Sequence, residues 1–183
     1  VGSEMCIRDR LKNKPSADLP ANRTFGDEHT MSHSLDHIMK PSSIAVIGAS
    51  TKPHTIGSDL MKRLIEFGFK GRIYPVNPKG GMIEGLQAYP SVLDIEGPVD
   101  MAVIVVNSKF VLSTIDQCHE KGVKGLVVIS AGFKESGKEG AEMEAQLYER
   151  VKKYGMRCVG PNCLGVVNTH PDVRMDACFA ESL

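Results

Sequence analysis

The chain has 183 residues, of which 42% are hydrophobic, and its 22 basic and 22 acidic side chains give a formal net charge of zero at pH 7. This length fits one domain plus a tail. The balanced charge excludes bulk attraction to nucleic acid or to an acidic membrane surface, and no apolar stretch reaches the ~18–20 residues of a membrane span. The 5 cysteines include no Cys-x-x-Cys pair, which argues against a disulfide or zinc framework. We therefore expect a cytoplasmic protein without a metal site.

The two ends of the chain predict little folded structure. The opening VGSEMCIRDR resembles a read-through or cloning extension, and residues 1–30 are rich in Asn, Pro, Lys and Asp with little periodicity. We expect residues 1–34 to be a disordered or artefactual extension, with Met31 as the native start. Residues 35–170 should form one domain. Residues 171–183 end without a turn or a cap, and should begin a truncated connection to a missing domain.

From residue 35 onwards, short apolar runs alternate with amphipathic stretches. The runs are rich in Val and Ile and apolar on both faces, as is typical of parallel strands with helices on both sides; they are residues 43–47, 72–76, 101–106, 126–129 and 157–159. Three stretches between them carry apolar residues at helical spacing, and Gly68, Gly122 and Gly155 stand where these helices should end. The order predicts an α/β fold, a Rossmann-like doubly wound parallel sheet with right-handed crossovers.

The loop after the first strand predicts an anion site. The strand stops at Gly48, a loop of small residues follows, and a helical pattern begins at Ser58. A strand that turns through glycine into a helix N-terminus gathers backbone N–H groups and the positive end of the helix dipole at one point. In such sheets ligands bind at the carboxyl ends of the strands, near the point where the strand order reverses. We therefore expect a phosphate group in this loop.

The same loop departs from the dinucleotide fingerprint GxGxxG. Gly48 fits the first glycine, but Ser50 and Pro53 stand at the second and third positions. The second strand is followed by Lys79, where an NAD-binding protein carries an acidic residue. A lysine there disfavours NAD and favours a phosphate on the ribose, which NADP carries at the 2′ position and coenzyme A at the 3′ position. The local chemistry leaves these two ligands open.

Five segments at the strand ends carry a family resemblance. They are PSSIAVIGAS (41–50), YPVNPK (74–79), VDMAVIVV (99–106), VISAGF (128–133) and VGPNCLGV (159–166). In this order they resemble the coenzyme-A-binding domain of NDP-forming (ADP-forming) acyl-CoA synthetases, which include acetate–CoA ligases and the succinyl-CoA synthetase alpha subunit. The resemblance covers about residues 35–170. Succinyl-type alpha subunits favour Thr-Glu where this chain has Ser130-Ala131, so the acetate–CoA ligase branch fits better.

The resemblance implies a role for each loop. The residues that would cradle the phosphates of coenzyme A are Gly48, Ala49, Ser50, Ile56 and Gly57, and Lys79 would contact its phosphorylated adenosine end. Those that would border the nucleotide or the pantetheine are Ser130, Ala131 and Gly132. Those that would face the acyl-transfer centre as substrate residues are Pro161, Asn162 and Cys163. A packing role for the Gly57 backbone is compatible with this assignment, and we expect a valine there to weaken binding without unfolding the sheet.

The resemblance also implies a reaction that this chain does not complete alone. In the family an acyl phosphate forms, coenzyme A attacks it, and the phosphoryl group moves through a histidine to ADP. That histidine lies on the next domain, and ATP, ADP and Mg²⁺ belong to an ATP-grasp part that is sometimes a separate chain. We therefore expect a fragment without catalytic residues of its own, from a ligase that forms carbon–sulfur bonds. Its partners would be the remaining synthetase domains or an ATP-grasp subunit, in an oligomer.

Two other functions stay open at this point. A stand-alone coenzyme-A-binding module with a regulatory or carrier role would share the first loop and the VNP turn, but would lack the segment GPNCLG (160–165). An NADP-dependent oxidoreductase domain would need a hydride-transfer site, for which the chain shows no obvious catalytic set. Within GPNCLG, Cys163 is interpreted as a small residue packed in a tight turn. The Asn162 amide could either orient the turn or reach the acyl group.

Overall fold

The computed structural model describes residues 35–180, so the predicted extension at residues 1–34 lies outside the described residues. The helices are α1 (Asp36–Met39), α2 (Ile56–Glu66), α3 (Ser108–Lys121) and α4 (Lys138–Lys153). The strands are β1 (Ser43–Ile47), β2 (Arg72–Val76), β3 (Met82–Ile83), β4 (Leu86–Gln87), β5 (Met101–Ile104), β6 (Gly125–Val128), β7 (Arg157–Val159), β8 (Gly165–Asn168) and β9 (Met175–Cys178). Within the described part of the chain, no helix is long and apolar enough to cross a membrane.

Five strands form a parallel sheet in the order β2-β1-β5-β6-β7. The chain runs from β1 outwards to β2 and then crosses back to β5 on the other side of β1, so the order reverses between β1 and β5. Helices cover both faces of this sheet. The α/β, Rossmann-like doubly wound fold predicted from the sequence is therefore confirmed. The two shorter sheets, β3-β4 and β8-β9, are antiparallel hairpins that the periodicity did not predict.

The three central strands are buried along their whole length, which explains their unbroken apolar runs. Successive side chains point to opposite faces and enter two separate cores. Ala45, Ala102 and Leu126 belong to the core under α3 and α4. Val46 and Val103 belong to the core under α2. Each alternate residue thus anchors a different helix layer.

The predicted helix ends are confirmed. Gly122 is a left-handed C-cap of α3 with φ 88°, and Gly68 and Gly155 also have positive φ, at 78° and 64°. Helix α2 begins at Ile56, two residues before the predicted start, because Thr55 is its N-cap and accepts a hydrogen bond from the backbone N–H of Ser58 at 3.4 Å.

The packed domain continues past residue 170. Strand β9 pairs with β8, and its Met175 and Ala177 side chains are fully buried in the core under α2. The sequence did not predict this strand because Met-Asp-Ala-Cys lacks the β-branched and aromatic residues that favour strands. Residues 171–178 therefore belong to the packed unit, which is a correction to the predicted boundary. That the following residues connect to a further domain stays a prediction.

An ion pair fastens β9 to α2. Arg63 Nε lies 3.4 Å from Asp176 Oδ2, and the two side chains are only 21% and 17% exposed. Among the described residues this Nε has no hydrogen-bond partner. The carboxylate is thus the group that compensates a largely buried guanidinium.

We expect Asp176→Ala to lower the free energy of unfolding by about 1–3 kcal/mol, because it leaves the Arg63 charge buried without a partner. Urea unfolding followed by circular dichroism measures this. The control is Asp172→Ala, which removes an 89% exposed carboxylate 3.6 Å from His170 Nδ1 and should change stability by less than about 0.5 kcal/mol. Equal stability losses in the two variants would show that the pair does not hold β9.

Candidate functional site

The parallel sheet brings the predicted segments to one edge. All five strands end there, so the loops that follow them lie side by side in the order β2, β1, β5, β6, β7. The edge includes the point between β1 and β5 where the strand order reverses, the usual ligand position in open α/β sheets. The structure thus assembles, at one edge, residues that are up to 115 positions apart in the sequence, from Gly48 to Cys163.

Gly48 occupies the crowded turn between β1 and its neighbours. Its φ is +99°, and its N–H donates to the carbonyl of Val76 at 3.0 Å. A Cβ at this position would lie 2.9 Å from the Val105 side chain and 3.0 Å from the Val105 carbonyl oxygen. Both the backbone conformation and the space therefore require glycine here.

Gly57 packs the first turn of α2 against the same point. A Cβ on Gly57 would lie 2.1 Å from the carbonyl oxygen of Gly48, which is backbone and cannot rotate away. Gly57 is therefore a packing glycine, whatever else it does. The contact brings the positive end of the α2 dipole directly onto the end of β1.

The loop between Gly48 and Gly57 is stabilised by hydrogen bonds that its own side chains make. Thr55 Oγ1 donates to the carbonyl of Lys52 at 2.8 Å, and Ser50 Oγ accepts the Lys52 N–H at 3.0 Å. Within residues 35–180, the backbone N–H groups of Ile56 and Gly57 have no hydrogen-bond acceptor, as expected for the first turn of a helix. These two donors at the N-terminus of α2 are thus left without a partner in the part of the chain that the structure describes, with Ile56 40% exposed and Gly57 buried.

Asn77 joins the loops that follow β1 and β2. Its Nδ2 donates to the carbonyl of Ala49 at 2.8 Å, and its Oδ1 accepts the N–H of Lys79 at 2.9 Å. The sequence reasoning assigned no role to this residue. The signal was present as Asn-Pro-Lys-Gly, because an Asn side chain commonly caps the backbone two residues on in a turn.

Lys79 stands on the tightened turn beyond Asn77. The residue is exposed, and none of the ion pairs between described residues includes it. Gly80 follows with φ +60°, and its N–H donates to the Asn77 carbonyl at 2.8 Å. A cation therefore stands beside the glycine loop with its charge uncompensated by the described acidic groups.

The loop after β6 is internally satisfied. Ser130 is buried, and its hydroxyl donates to the Val106 carbonyl at 2.5 Å. The N–H groups of Gly132 and Phe133 donate to the Glu135 carboxylate at 2.6 and 3.1 Å. These two bonds hold the pKa of Glu135 below its usual value. The Ser130 hydroxyl proton and the Gly132 N–H thus already have partners, whereas Ala131 is exposed.

The turn after β7 is fastened to that loop. Asn162 has φ 54°, a left-handed conformation that Asn tolerates, and its N–H donates to the Ser130 carbonyl at 3.1 Å. Its side chain is exposed, whereas the Cys163 thiol donates to the Val128 carbonyl at 3.4 Å. Burial raises the pKa of Cys163. The geometry supports the interpretation of Cys163 as a packed turn residue, and Pro161 precedes it in the same turn.

A family comparison agrees with this arrangement. The model of the family described as "CoA binding domain" matches residues 42–169. The chain belongs to this family. The match includes every loop of the carboxyl edge, from Gly48 through the turn at Cys163.

Individual relatives of this CoA-binding domain are CoA ligases. The ADP-forming acetate–CoA ligase I subunit alpha of Pyrococcus furiosus is 54% identical over 140 residues, which are 74% of this chain and 30% of that subunit. A solved structure of the dinucleotide-forming acetyl-coenzyme A synthetase 1 of Ca. Korarchaeum cryptofilum, in complex with phosphate and ADP, is 46% identical with a TM-score of 0.76, covering 80% of this chain and 31% of that chain. The ADP-forming succinate–CoA ligase subunit alpha 2 of Archaeoglobus fulgidus is 29% identical over 127 residues, 67% of this chain and 40% of that subunit.

The comparisons confirm the predicted coenzyme-A-binding family, and the chain is more similar to the acetate–CoA ligase subunit than to the succinate–CoA ligase subunit. Identity to the acetate–CoA ligase subunit is 54%, against 29% to the succinate–CoA ligase subunit. The CoA-binding domain spans about 30% of the length of the acetate–CoA ligase subunit. A stand-alone module and an NADP-dependent oxidoreductase are not favoured, since the relatives that match at high identity are CoA ligases.

The contact between Gly57 and Gly48 corrects one expectation. Because the clash is with backbone, a larger residue at position 57 should lower stability and not only binding. We expect Gly57→Ala to lower the free energy of unfolding by about 1–3 kcal/mol, the usual range for overpacking. The control is Gly155→Asn, where φ is +64° and the space is open, with an expected loss below about 1 kcal/mol. Wild-type stability of Gly57→Ala in urea unfolding would contradict the packing role.

The raised pKa of Cys163 predicts a slow thiol. Since the thiolate is the reactive species, iodoacetamide at pH 8 should alkylate Cys163 more slowly than it alkylates glutathione in the same tube. The Cys163 rate should still be rising with pH above about 9.5, where the glutathione rate levels off because an ordinary thiol is then largely ionised. Peptide mass spectrometry assigns the modified cysteine. A Cys163 rate equal to or above that of glutathione would indicate an activated nucleophile.

Proposed function

We propose that this domain binds coenzyme A along the carboxyl edge of its sheet. The observation that carries the proposal is the pairing of two unpartnered N–H groups at the start of α2 with an uncompensated Lys79 on the adjoining loop. The two N–H groups can donate hydrogen bonds to the diphosphate of the coenzyme, and the lysine can pair with the separate phosphate on its ribose. Membership of the CoA-binding family supports this choice over NADP.

The residues proposed to meet the coenzyme follow from this arrangement. Those around the diphosphate are Gly48, Ala49, Ser50, Ile56 and Gly57, and Lys79 meets the ribose phosphate. Farther along the edge are Ser130, Ala131 and Gly132. Because the Ser130 hydroxyl proton and the Gly132 N–H have partners inside the protein, this loop would contribute mainly shape and the exposed surface of Ala131.

The strand order suits an elongated carrier. Lys79 follows β2 at one end of the sheet, and the Pro161-Asn162-Cys163 turn follows β7 at the other. Four strand spacings separate these two strands, which is about 19 Å. Coenzyme A has its phosphorylated adenosine at one end and its thiol at the other. We therefore place the thiol, and with it the acyl group, toward the turn after β7.

We further propose that the chain is the CoA-binding part of an ADP-forming acyl-CoA synthetase. Such an enzyme converts an acid, coenzyme A and ATP into acyl-CoA, ADP and phosphate. The support is the identity to acetate–CoA ligases together with the 30% share of their length that the chain spans. In this proposal the residues at the edge bind and orient the coenzyme. The nucleotide, Mg²⁺ and the phosphorylated histidine belong to other domains or to a partner subunit.

The proposal is tested by calorimetry with the purified chain. Lys79→Ala should weaken coenzyme A binding about ten- to hundred-fold, since a hydrogen bond to a charged group contributes roughly 1.5–3 kcal/mol. The same substitution should change the affinity for 3′-dephospho-coenzyme A little, because that ligand lacks the phosphate. The matched control is Lys70→Ala, an exposed lysine that precedes β2 and therefore lies at the other edge of the sheet.

The outcomes separate the possible ligands. Binding of coenzyme A with a strong dependence on Lys79 supports the proposal. An equal loss for both forms of the coenzyme would show that Lys79 does not meet the ribose phosphate. A wild-type protein that binds NADPH and gives no heat with coenzyme A would overturn the proposed function.

A further inference from the structure

We infer that Asn77 is a positioning residue that sets the separation between the two phosphate-binding elements of the site. This inference rests on the proposed function. The first element is the glycine loop, residues 48–57 after β1, and the second is the cation loop, residues 77–81 after β2. The Asn77 side chain donates to the Ala49 carbonyl in the glycine loop and accepts the Lys79 N–H in the cation loop. Both bonds join groups of the protein itself, so they can set the spacing of the two elements without a contribution from the ligand.

The Asn77 side chain is suited to hold a fixed distance. Its amide group is planar. The Nδ2 donor bonds to the Ala49 carbonyl at 2.8 Å, and the Oδ1 acceptor bonds to the Lys79 N–H at 2.9 Å. Its own backbone is also held, because its N–H donates to the Tyr89 carbonyl at 2.9 Å and its carbonyl accepts the Gly80 N–H at 2.8 Å. With both side-chain and both backbone groups bonded, Asn77 is a rigid connection between the ends of β1 and β2.

The cation loop needs such a connection. Lys79 is exposed, and among the described residues the bond from its N–H to Asn77 Oδ1 is the only hydrogen bond of its own backbone. The next anchor along the loop is the Gly81 carbonyl, which accepts the Ala88 N–H at 2.7 Å. A binding group that is ordered before the ligand arrives loses less conformational entropy on binding. Loss of the Asn77 bonds should therefore reduce the contribution of Lys79 specifically, while the donors at the start of α2 keep theirs.

A second asparagine provides a matched control. Asn168 makes the same pair of bonds elsewhere in the fold, with Nδ2 donating to the Met39 carbonyl at 2.6 Å and Oδ1 accepting the His170 N–H at 2.9 Å. Both asparagines are half-buried. Met39 lies just before β1, so this connection is at the edge of the sheet opposite the proposed site. Asn168→Ala thus removes equivalent bonds without touching the phosphate-binding loops.

The readout is the preference for coenzyme A over 3′-dephospho-coenzyme A, measured by calorimetry for each variant. We expect this ratio to be about ten- to hundred-fold in the wild type, to approach one in Lys79→Ala, and to fall about five- to tenfold in Asn77→Ala. The double variant should show no further fall beyond Lys79→Ala, because both changes remove the same contribution. Asn168→Ala should keep the wild-type ratio.

Asn77→Ser supplies a second variant in case Asn77→Ala does not fold. A serine hydroxyl can still accept the Lys79 N–H in the turn, but it is too short to reach the Ala49 carbonyl. It should therefore lower the ratio as well. Thermal melting of Asn77→Ala and Asn77→Ser measures any loss of stability. A loss of stability alone weakens the binding of both ligands and leaves their affinity ratio unchanged.

Two results would overturn the inference alone. These are a wild-type ratio in the Asn77 variants, and an equal loss of affinity for both ligands, which would make Asn77 a structural residue only. A wild-type protein that binds coenzyme A without preferring it over the dephospho form would overturn the role of Lys79 and this inference, while coenzyme A binding stands. Absence of coenzyme A binding by the wild type would overturn the proposed function itself.

Discussion

The backbone contact between Gly48 and Gly57 is the constraint on which the rest of the site depends. A Cβ on Gly57 would meet the Gly48 carbonyl at 2.1 Å, so the first turn of α2 can approach β1 only without a side chain there. Gly48 itself is pressed against Val105 of the neighbouring chain segment. The N-terminus of α2 is therefore held at the point where the strand order reverses, with its dipole and free donors facing the edge of the sheet.

The loops along this edge differ in how many of their polar groups are already used. At the start of α2, the N–H groups of Ile56 and Gly57 lack acceptors among residues 35–180. In the loop after β6, a carboxylate of the protein itself, that of Glu135, occupies the donors of Gly132 and Phe133. The first loop thus has donors without a partner in the described chain, whereas the donors of the second are already used. In the proposed binding mode, the charged part of the coenzyme lies at the first loop and a less polar part lies along the second.

The edge as a whole is connected through backbone bonds and short polar side chains. Asn77 connects the loops after β2 and β1, and Ser130 connects the loop after β6 both to the end of β5 and to the turn after β7. These bonds make the loops follow the rigid sheet. The acetate–CoA ligase subunit and the acetyl-coenzyme A synthetase that match are longer proteins, of which the chain spans 30% and 31%.

Much of this could be predicted from local sequence. The apolar run at 43–47 matches β1, and those at 101–106 and 126–129 match β5 and β6 to within two residues, because parallel strands buried on both faces leave an unbroken apolar pattern. Local sequence also identified the glycines that end the helices and the loop that begins at Gly48, because the conformation of these residues depends on their immediate neighbours in the chain. Strand β9 was missed because its residues favour no strand by themselves, and only pairing with β8 and burial under α2 make it one.

Only the tertiary structure decided which groups are free and which are already bonded. The sequence by itself determined the fold class, the family and the positive charge at Lys79. It did not show that Asn77 bonds to Ala49, 28 positions away, or that Ser130 bonds to Val106, 24 positions away. These partners are brought together by the order of the strands, and hydrogen-bond partners distant in the chain leave no periodic trace in the sequence.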